Sequence, residues 1–71
     1  MSTAEYNAMI PSNIEKAIRA RGLKNCAVAA KAGYSNQQFS DMLNGRKIIK
    51  PSDIVAISCA LEISVGDLFR A

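Results

Sequence analysis

The chain has 71 residues, a net charge of +3, two cysteines and no histidine. We expect a single compact domain, because this length supports one small hydrophobic core. No apolar stretch approaches the roughly 18–20 residues needed to cross a bilayer, and no signal segment opens the chain, so we expect a cytoplasmic protein without a membrane partner.

Composition argues against catalysis and metal binding. Cys26 and Cys59 are too few and too far apart for a zinc site or a disulfide framework. We therefore expect both thiols to be reduced residues of the core. The serines and carboxylates form no recognisable set of acid, base and nucleophile, so we predict neither an enzyme nor a bound metal or cofactor.

Basic residues are concentrated in the middle of the chain. Residues 12–50 hold eight basic residues against two acidic ones, a net charge of +6, whereas the remainder sums to −3. This distribution predicts that the central segment faces a polyanion. On charge alone, a merely solvated surface is the alternative.

The first predicted helix follows a short arm. Residues 1–11 lack a helical apolar period and include Pro11, so we interpret them as a flexible N-terminal arm before a domain spanning residues 12–71. Ser12 and Glu15 have the spacing of a capping box at the start of this helix. The apolar positions that share one of its faces are Ile14, Ala17 and Ile18.

Two short helices joined by a tight turn form the most informative segment. The second helix is predicted from about Asn25 to Ala32, where Gly33 stops it. The third begins at Ser35, a good N-cap, and closes at Asn44. The predicted shared core consists of Val28, Ala32, Tyr34, Phe39 and Met42, while Ala29 is predicted where the two helices cross and a larger side chain would push them apart. Because the turn is too short to act as a flexible linker, we expect the third helix to project from the surface of the domain.

A basic loop over residues 46–50 leads into two further helices. Pro51 opens the fourth, because proline is tolerated in the first helical turn. This helix runs to about Leu61 and is apolar almost all round, which indicates a central helix or an oligomer contact. A fifth helix from Val65 to about Arg70 is predicted to bury Val65, Leu68 and Phe69.

With these elements in order, the sequence resembles the phage repressor and Cro family of helix-turn-helix regulators, the XRE family. The resemblance covers roughly residues 14–69 and includes three motifs outside the turn, which are Gly22-Leu23, Leu43-Asn44-Gly45-Arg46-Lys47 and Ile63-Ser64-Val65-Gly66-Asp67-Leu68-Phe69. It implies an all-α, five-helix repressor-like domain with the helix-turn-helix in the second and third helices. It also implies a phage-related transcriptional regulator, a repressor or Cro-like protein, whose third helix enters the major groove of double-stranded DNA.

Two features depart from the family pattern. Many members carry an Arg and a Glu, a buried ion pair, where this chain has Ile18 and Leu43. Packed hydrocarbons often replace such a pair without loss of stability. Lys24 stands where a Ser, Thr or Asn cap is usual, which leaves open whether Lys24 or Asn25 caps the second helix.

The candidate DNA contacts form two groups. The candidate base contacts are Asn36, Gln37, Gln38, Ser40 and Asp41. Gln37 is the first choice, because an amide offers paired donor and acceptor to adenine, while Asp41 either accepts from cytosine N4 or is a solvated carboxylate. The amides could alternatively do no more than solvate an exposed helix. The candidate phosphate contacts are Asn25, Ser35, Asn44, Arg46, Lys47 and Lys50, which combine helix N-termini with flexible cations.

A homodimer on a palindromic operator is the expected assembly. Ile48 and Ile49 are adjacent in an extended loop, so one of them should face solvent and, with Cys59 on the fourth helix, form a subunit contact. The alternative is a monomer with one exposed isoleucine. The alternative function is a protein-interaction module, antitoxin-like or a phage adaptor, although such interfaces favour aromatic or aliphatic anchors. No small-molecule effector is indicated.

Overall fold

The computed structural model describes the backbone of residues 3–69 and the side chains of residues 9–69. Its elements are α1 (Thr3–Ala20), α2 (Asn25–Ala32), α3 (Asn36–Leu43), α4 (Pro51–Leu61) and a 3₁₀ helix (Val65–Phe69). The all-helical prediction is confirmed, and no strand occurs in this part of the chain. The last predicted helix is a short 3₁₀ segment, so residues 3–69 form four α-helices and one 3₁₀ helix rather than the five helices predicted. Its predicted end at Arg70 lies outside the described residues.

The first helix begins earlier than predicted. α1 runs continuously through Pro11, so the predicted start at Ser12 is wrong. An internal proline costs a helix about 3 kcal/mol. However, Ile10 is only 7% exposed and joins the core one turn before Ile14, and such burial contributes a comparable ~1.5–3 kcal/mol. The mobility of residues 1–11, which are only partly described, stays a prediction.

One hydrophobic core joins all five segments. It consists of Ile10, Ile14, Ile18, Val28, Ala29, Phe39, Met42, Ile54, Ile57, Ala60, Leu61 and Leu68. Ser58 is also buried, and its hydroxyl donates to the Ile54 carbonyl at 2.7 Å, so its polar group is satisfied. The Asn13 amide donates to the Leu68 carbonyl at 2.8 Å and ties α1 to the 3₁₀ helix. The core therefore fixes α2 and α3 against the two longer helices.

Some residues predicted in the core lie on the surface instead. Cys26 and Cys59 are both exposed free thiols, and Cys59 lies on the side of α4 away from its buried isoleucines. In the 3₁₀ helix, Leu68 is buried whereas Val65 and Phe69 are 39% and 42% exposed. Three residues complete each 3₁₀ turn, so Phe69 is rotated by roughly 120° from Leu68. The predicted burial of Val65, Phe69 and both cysteines is therefore wrong.

The turn between α2 and α3 is left-handed at Gly33, where φ is 88° and ψ is 24°. The Gly33 N–H donates to the Ala30 carbonyl at 3.2 Å and the Tyr34 N–H to the Ala29 carbonyl at 2.8 Å. These two bonds form the Schellman pattern that closes a helix. A Cβ built on Gly33 would meet nothing within 4 Å. Glycine is therefore required by the backbone conformation and not by lack of space.

Tyr34 fastens this turn to α4. Its ring stacks on Phe39, with 6.4 Å between ring centroids, and its hydroxyl donates to Asp53 Oδ1 at 2.5 Å. Asp53 Oδ2 in turn accepts the Lys50 N–H at 2.9 Å and caps α4. One carboxylate thus joins the helix-turn-helix to the fourth helix.

This contact shifts the acidity of both partners. The hydrogen bond from Tyr34 lowers the pKa of Asp53 against the opposing effect of burial, helped by the Lys50 N–H and the charges of Lys47 and Lys50. Burial, together with the hydrogen bond and charge of Asp53, raises the pKa of Tyr34 to about 12. The phenol is therefore the donor and the carboxylate the charged acceptor across the neutral pH range.

We predict that Gly33→Ala lowers the free energy of unfolding by about 1–2 kcal/mol, because an L-residue is strained in the left-handed region. Gly66→Ala is the matched control, since its Cβ would meet only Ser64 Oγ at 3.9 Å and its φ is not left-handed. Urea unfolding of both variants measures the difference. Equal losses in the two variants would contradict the assigned turn.

We predict that Tyr34→Phe lowers the free energy of unfolding by about 1 kcal/mol near pH 7. The folded-state pKa of Asp53 lies below its ordinary value of 3.8, so the carboxylate's contribution is present above that value and is lost as the pH falls through the lower folded-state pKa. The difference in free energy of unfolding between wild type and Tyr34→Phe should therefore become smaller below about pH 4. Urea titrations at pH 3 and pH 7 measure this difference. If it is as large at pH 3 as at pH 7, the acceptor is not a charged carboxylate.

Candidate nucleic-acid interface

The amides at the start of α3 point into solvent. Asn36, Gln37 and Gln38 are all exposed, whereas Phe39 and Met42 are buried. The helical period separates these two sets, because the buried residues lie three apart on the side of α3 that packs on the core. α3 therefore presents a polar face, as a helix that enters a DNA groove must.

Ser35 and Gln38 share a reciprocal capping box at the start of α3. Ser35 Oγ accepts the Gln38 N–H at 3.1 Å, and Gln38 Oε1 accepts the Ser35 N–H at 2.9 Å. The box satisfies backbone donors that a helix N-terminus otherwise leaves unpaired. It leaves the amide Nε2 of Gln38 and the hydroxyl proton of Ser35 as the groups that can serve another partner.

Two rows of polar side chains run along the exposed side of α3. In one row Gln37 Nε2 donates to Asp41 Oδ1 at 2.9 Å. In the other Asn44 Nδ2 donates to Ser40 Oγ at 3.2 Å, and Asn36 lies one turn before Ser40. Both rows follow the spacing of four residues that places helical side chains next to each other. All but one of the predicted base contacts, Gln38 being the exception, lie in these rows.

The basic loop starts beside the row that contains Gln37. The N–H groups of Arg46 and Lys47 donate to the Asp41 carbonyl at 2.8 and 3.2 Å. Arg46 NH1 lies 3.9 Å from Asp41 Oδ1, and the Arg46 side chain is 72% exposed. An ion pair this exposed is weak, so the guanidinium keeps donors for a phosphate. Arg46 therefore lies on the same side of the molecule as Gln37.

The other basic residues are spread more widely than the charge pattern predicts. Lys47 and Lys50 are exposed and lie close enough to Asp53 to affect its pKa, near the start of α4. Arg21 lies elsewhere, because its guanidinium contacts the carbonyl of Glu62 at 3.0 Å and the carboxylate of the same residue at 3.8 Å. Arg21 therefore contacts the C-terminal end of α4, and the orientation of the central segment towards one polyanion stays a prediction.

A cleft of about 260 Å³ lies between α1, the start of α2 and α3. It is lined by Glu15, Asn25, Cys26, Asn36, Phe39, Ser40, Leu43 and Asn44. Lys24 occupies the N-cap position of α2 without a side-chain hydrogen bond, so Asn25 is the first helical residue. The cleft thus brings two predicted phosphate contacts, Asn25 and Asn44, together with Asn36 and Ser40 from the base-contact set.

Glu15 is a residue of this cleft that the sequence does not assign to it. Its spacing from Ser12 predicts a capping role, which disappears because α1 starts earlier. The carboxylate brings negative charge to the cleft and opposes the deep entry of a phosphate. The helical register set by Ile14 and Ile18 is the same with or without Ile10, so the available signal for Glu15 was its position at the edge of that apolar face.

Hydrophobic packing occupies two positions at which the sequence departs from the pattern of the family that it resembles. Ile18 is 3% exposed, and Leu43 is partly buried and packs against the core. Because both side chains are apolar, neither position leaves a charge without a partner. The α1–α3 contact is therefore maintained by packing at these positions.

Within residues 3–69, no helix combines the length and hydropathy of a membrane span. Among residues 9–69, whose side chains are described, no group of three or more His, Cys, Asp or Glu residues is arranged to hold a metal ion. A family model described as a Cro/C1-type HTH DNA-binding domain matches residues 13–71, which contain the turn, α3 and the basic loop. No curated protein and no solved structure matches the chain.

Proposed function

Because the chain belongs to the Cro/C1-type helix-turn-helix DNA-binding family, we propose that it is a sequence-specific regulator of the repressor or Cro-like kind. In the proposed complex, α3 lies in the major groove of the DNA. DNA binding with a role in transcription regulation is the family's general function. The observation that supports the specific proposal is the exposed row of Gln37 and Asp41, with Arg46 joined to its end. This row places a base-reading amide next to a phosphate-binding cation.

Gln37 and Asn36 are the proposed principal base contacts. Both are exposed near the N-terminus of α3, the end that approaches base edges in helix-turn-helix complexes. Gln37 donates only one of its two Nε2 protons to Asp41, so its second proton and its Oε1 are suited to adenine N7 and N6. Gln38 Oε1 is engaged in the capping box and Ser40 Oγ accepts from Asn44, and we propose these two residues as secondary contacts.

Phosphate binding is proposed on both sides of this helix. Arg46 and Lys47 extend from the loop after α3, and Lys50 lies at the start of α4. The remaining candidates are Asn25, Ser35 and Asn44. Asn25 lies in the first turn of α2, where the helix dipole and unpaired N–H groups favour an anion. Contacts of this kind fix the register of the protein on DNA without reading its sequence.

Selection of bound sites from random duplexes tests the proposal. We expect Gln37→Ala to relax preference at one base position, with a loss of about 1–3 kcal/mol of discrimination there. Arg46→Ala should weaken all sites alike and reduce the salt slope by about one. Wild-type log affinity should fall against log salt with a slope of roughly −5 for about six phosphate contacts. Arg21→Ala is the matched control, because this cation is engaged with Glu62.

The alternative function predicts a different result. A protein-interaction module of the antitoxin or phage-adaptor kind would select no base sequence from random duplexes, because its binding free energy comes from anchors on a protein partner. Its binding to that partner would depend little on salt, whereas any residual duplex binding would be non-specific and salt-dependent. That outcome with the wild-type protein would exclude the proposed function.

We further propose a homodimer that reads two half-sites of a palindromic operator. Ile48 is 75% exposed and Val55 is 51% exposed, while Cys59 lies one turn after Val55 on the exposed side of α4. Ile49 instead packs against the core, so Ile48 is the better contact candidate of the adjacent pair. Large apolar side chains exposed to this degree are suited to a subunit contact.

We predict that Ile48→Asp combined with Val55→Asp abolishes dimer formation, because a charge cannot be desolvated at an apolar contact without a partner. Sedimentation equilibrium on a selected palindromic duplex measures the stoichiometry. Ser12→Asp, a change at an exposed position of α1, serves as a control for added charge. A single wild-type copy per palindrome would contradict the dimer.

A further inference from the structure

We infer that Asp41 is a positioning residue, which sets both the amide orientation of Gln37 and the placement of Arg46 in DNA reading. This inference rests on the proposed function and specifies how base and phosphate contacts are coupled. It assigns to Asp41 a role through its neighbours, in place of a base contact of its own.

The contact with Gln37 fixes which way its amide faces. A glutamine amide presents an acceptor on one side and donors on the other, and a 180° rotation exchanges them. Gln37 Nε2 donates to Asp41 Oδ1 at 2.9 Å, and a carboxylate accepts only from the amide nitrogen. Oε1 is therefore held on the side away from Asp41. This orientation offers an acceptor and a remaining N–H in the pattern that matches adenine.

Asp41 is less exposed than Gln37 and Arg46, the two residues that its side chain contacts. Its side chain is 30% exposed, against 72% for Arg46. Its backbone carbonyl accepts the N–H groups of Arg46 and Lys47, at 2.8 and 3.2 Å, so the basic loop begins on this one residue. The side chain adds the 3.9 Å contact to Arg46 NH1. Gln37, proposed to read a base, and Arg46, proposed to bind a phosphate, therefore both contact Asp41.

A direct contact between Asp41 and cytosine N4 is the competing role. The same oxygen, Oδ1, already faces both Gln37 Nε2 and Arg46 NH1, and a carboxylate among DNA phosphates is repelled unless cations offset it. The two roles predict different outcomes. A direct contact makes Asp41 responsible for its own base position, whereas a positioning role makes the loss of Asp41 appear at the base read by Gln37.

Site selection with four variants distinguishes these roles. We expect Asp41→Ala to relax preference at the same base position as Gln37→Ala, by about three- to tenfold, the size of one lost hydrogen bond. The double variant Gln37→Ala with Asp41→Ala should lose no more base preference at that position than Gln37→Ala alone, because Asp41 acts there through Gln37. Asp41→Asn can either accept from Gln37 Nε2 or donate to Gln37 Oε1, so it no longer fixes the amide orientation, and its preference at that position should lie between those of wild type and Asp41→Ala.

A measurement without DNA tests the contact itself. In the free protein, the side-chain amide resonances of Gln37 should shift in Asp41→Ala and not those of Asn36, which lies in the other row. Preference lost at a separate base position, unchanged preference, or unmoved Gln37 resonances would each overturn the inference. If the wild-type protein selects sites and Asp41→Ala selects the same ones, this inference fails alone. If the wild-type protein selects no sequence, the proposed function fails with it.

Discussion

The position of α3 depends on the left-handed turn at Gly33 and on the tyrosine that follows it. Tyr34 closes α2 with its N–H, stacks its ring on Phe39 of α3 and donates its hydroxyl to Asp53 of α4. A single residue thereby connects three helices. Because the backbone conformation at Gly33 decides where Tyr34 lies, a change of that conformation would move the start of α3 and rotate its polar face away from any groove.

The exposed face of α3 is organised before any ligand arrives. Gln37, Asp41, Ser40 and Asn44 are paired along the helix, and Gln38 closes the capping box. Freezing a long polar side chain on binding costs about 0.5–1.5 kcal/mol. Side chains that already have a preferred rotamer lose less of this freedom, so their contacts contribute more of their free energy to affinity. This pairing also has a cost, because a side chain that is hydrogen-bonded within the chain has fewer donors and acceptors left for DNA.

Local sequence signals predicted the elements that local interactions determine. Gly33, Ser35 and Pro51 correctly mark helix boundaries, because caps and breakers act on the nearest few residues. The start of α1 could not be predicted this way, since burial of Ile10 depends on helices distant in sequence. The surface positions of both cysteines depend on the same tertiary packing. Among the site residues, exposure of the amides follows from the helical period, and the spacing of four residues places Gln37 next to Asp41. The hydrogen bond between them and the contact with Arg46 require the side-chain geometry.

Negative charge on the proposed DNA face has a physical use beyond positioning. Asp41 lies in the exposed row, and Glu15 lines the cleft beside Asn25. Each carboxylate reduces the non-specific attraction that cations alone would give, because it repels phosphates wherever the protein contacts the duplex. In the proposed complex, Arg46 and the amides proposed to read bases would offset that repulsion at a correct site. At a wrong site the repulsion would remain, so the carboxylates would reduce affinity but increase the difference between specific and non-specific binding.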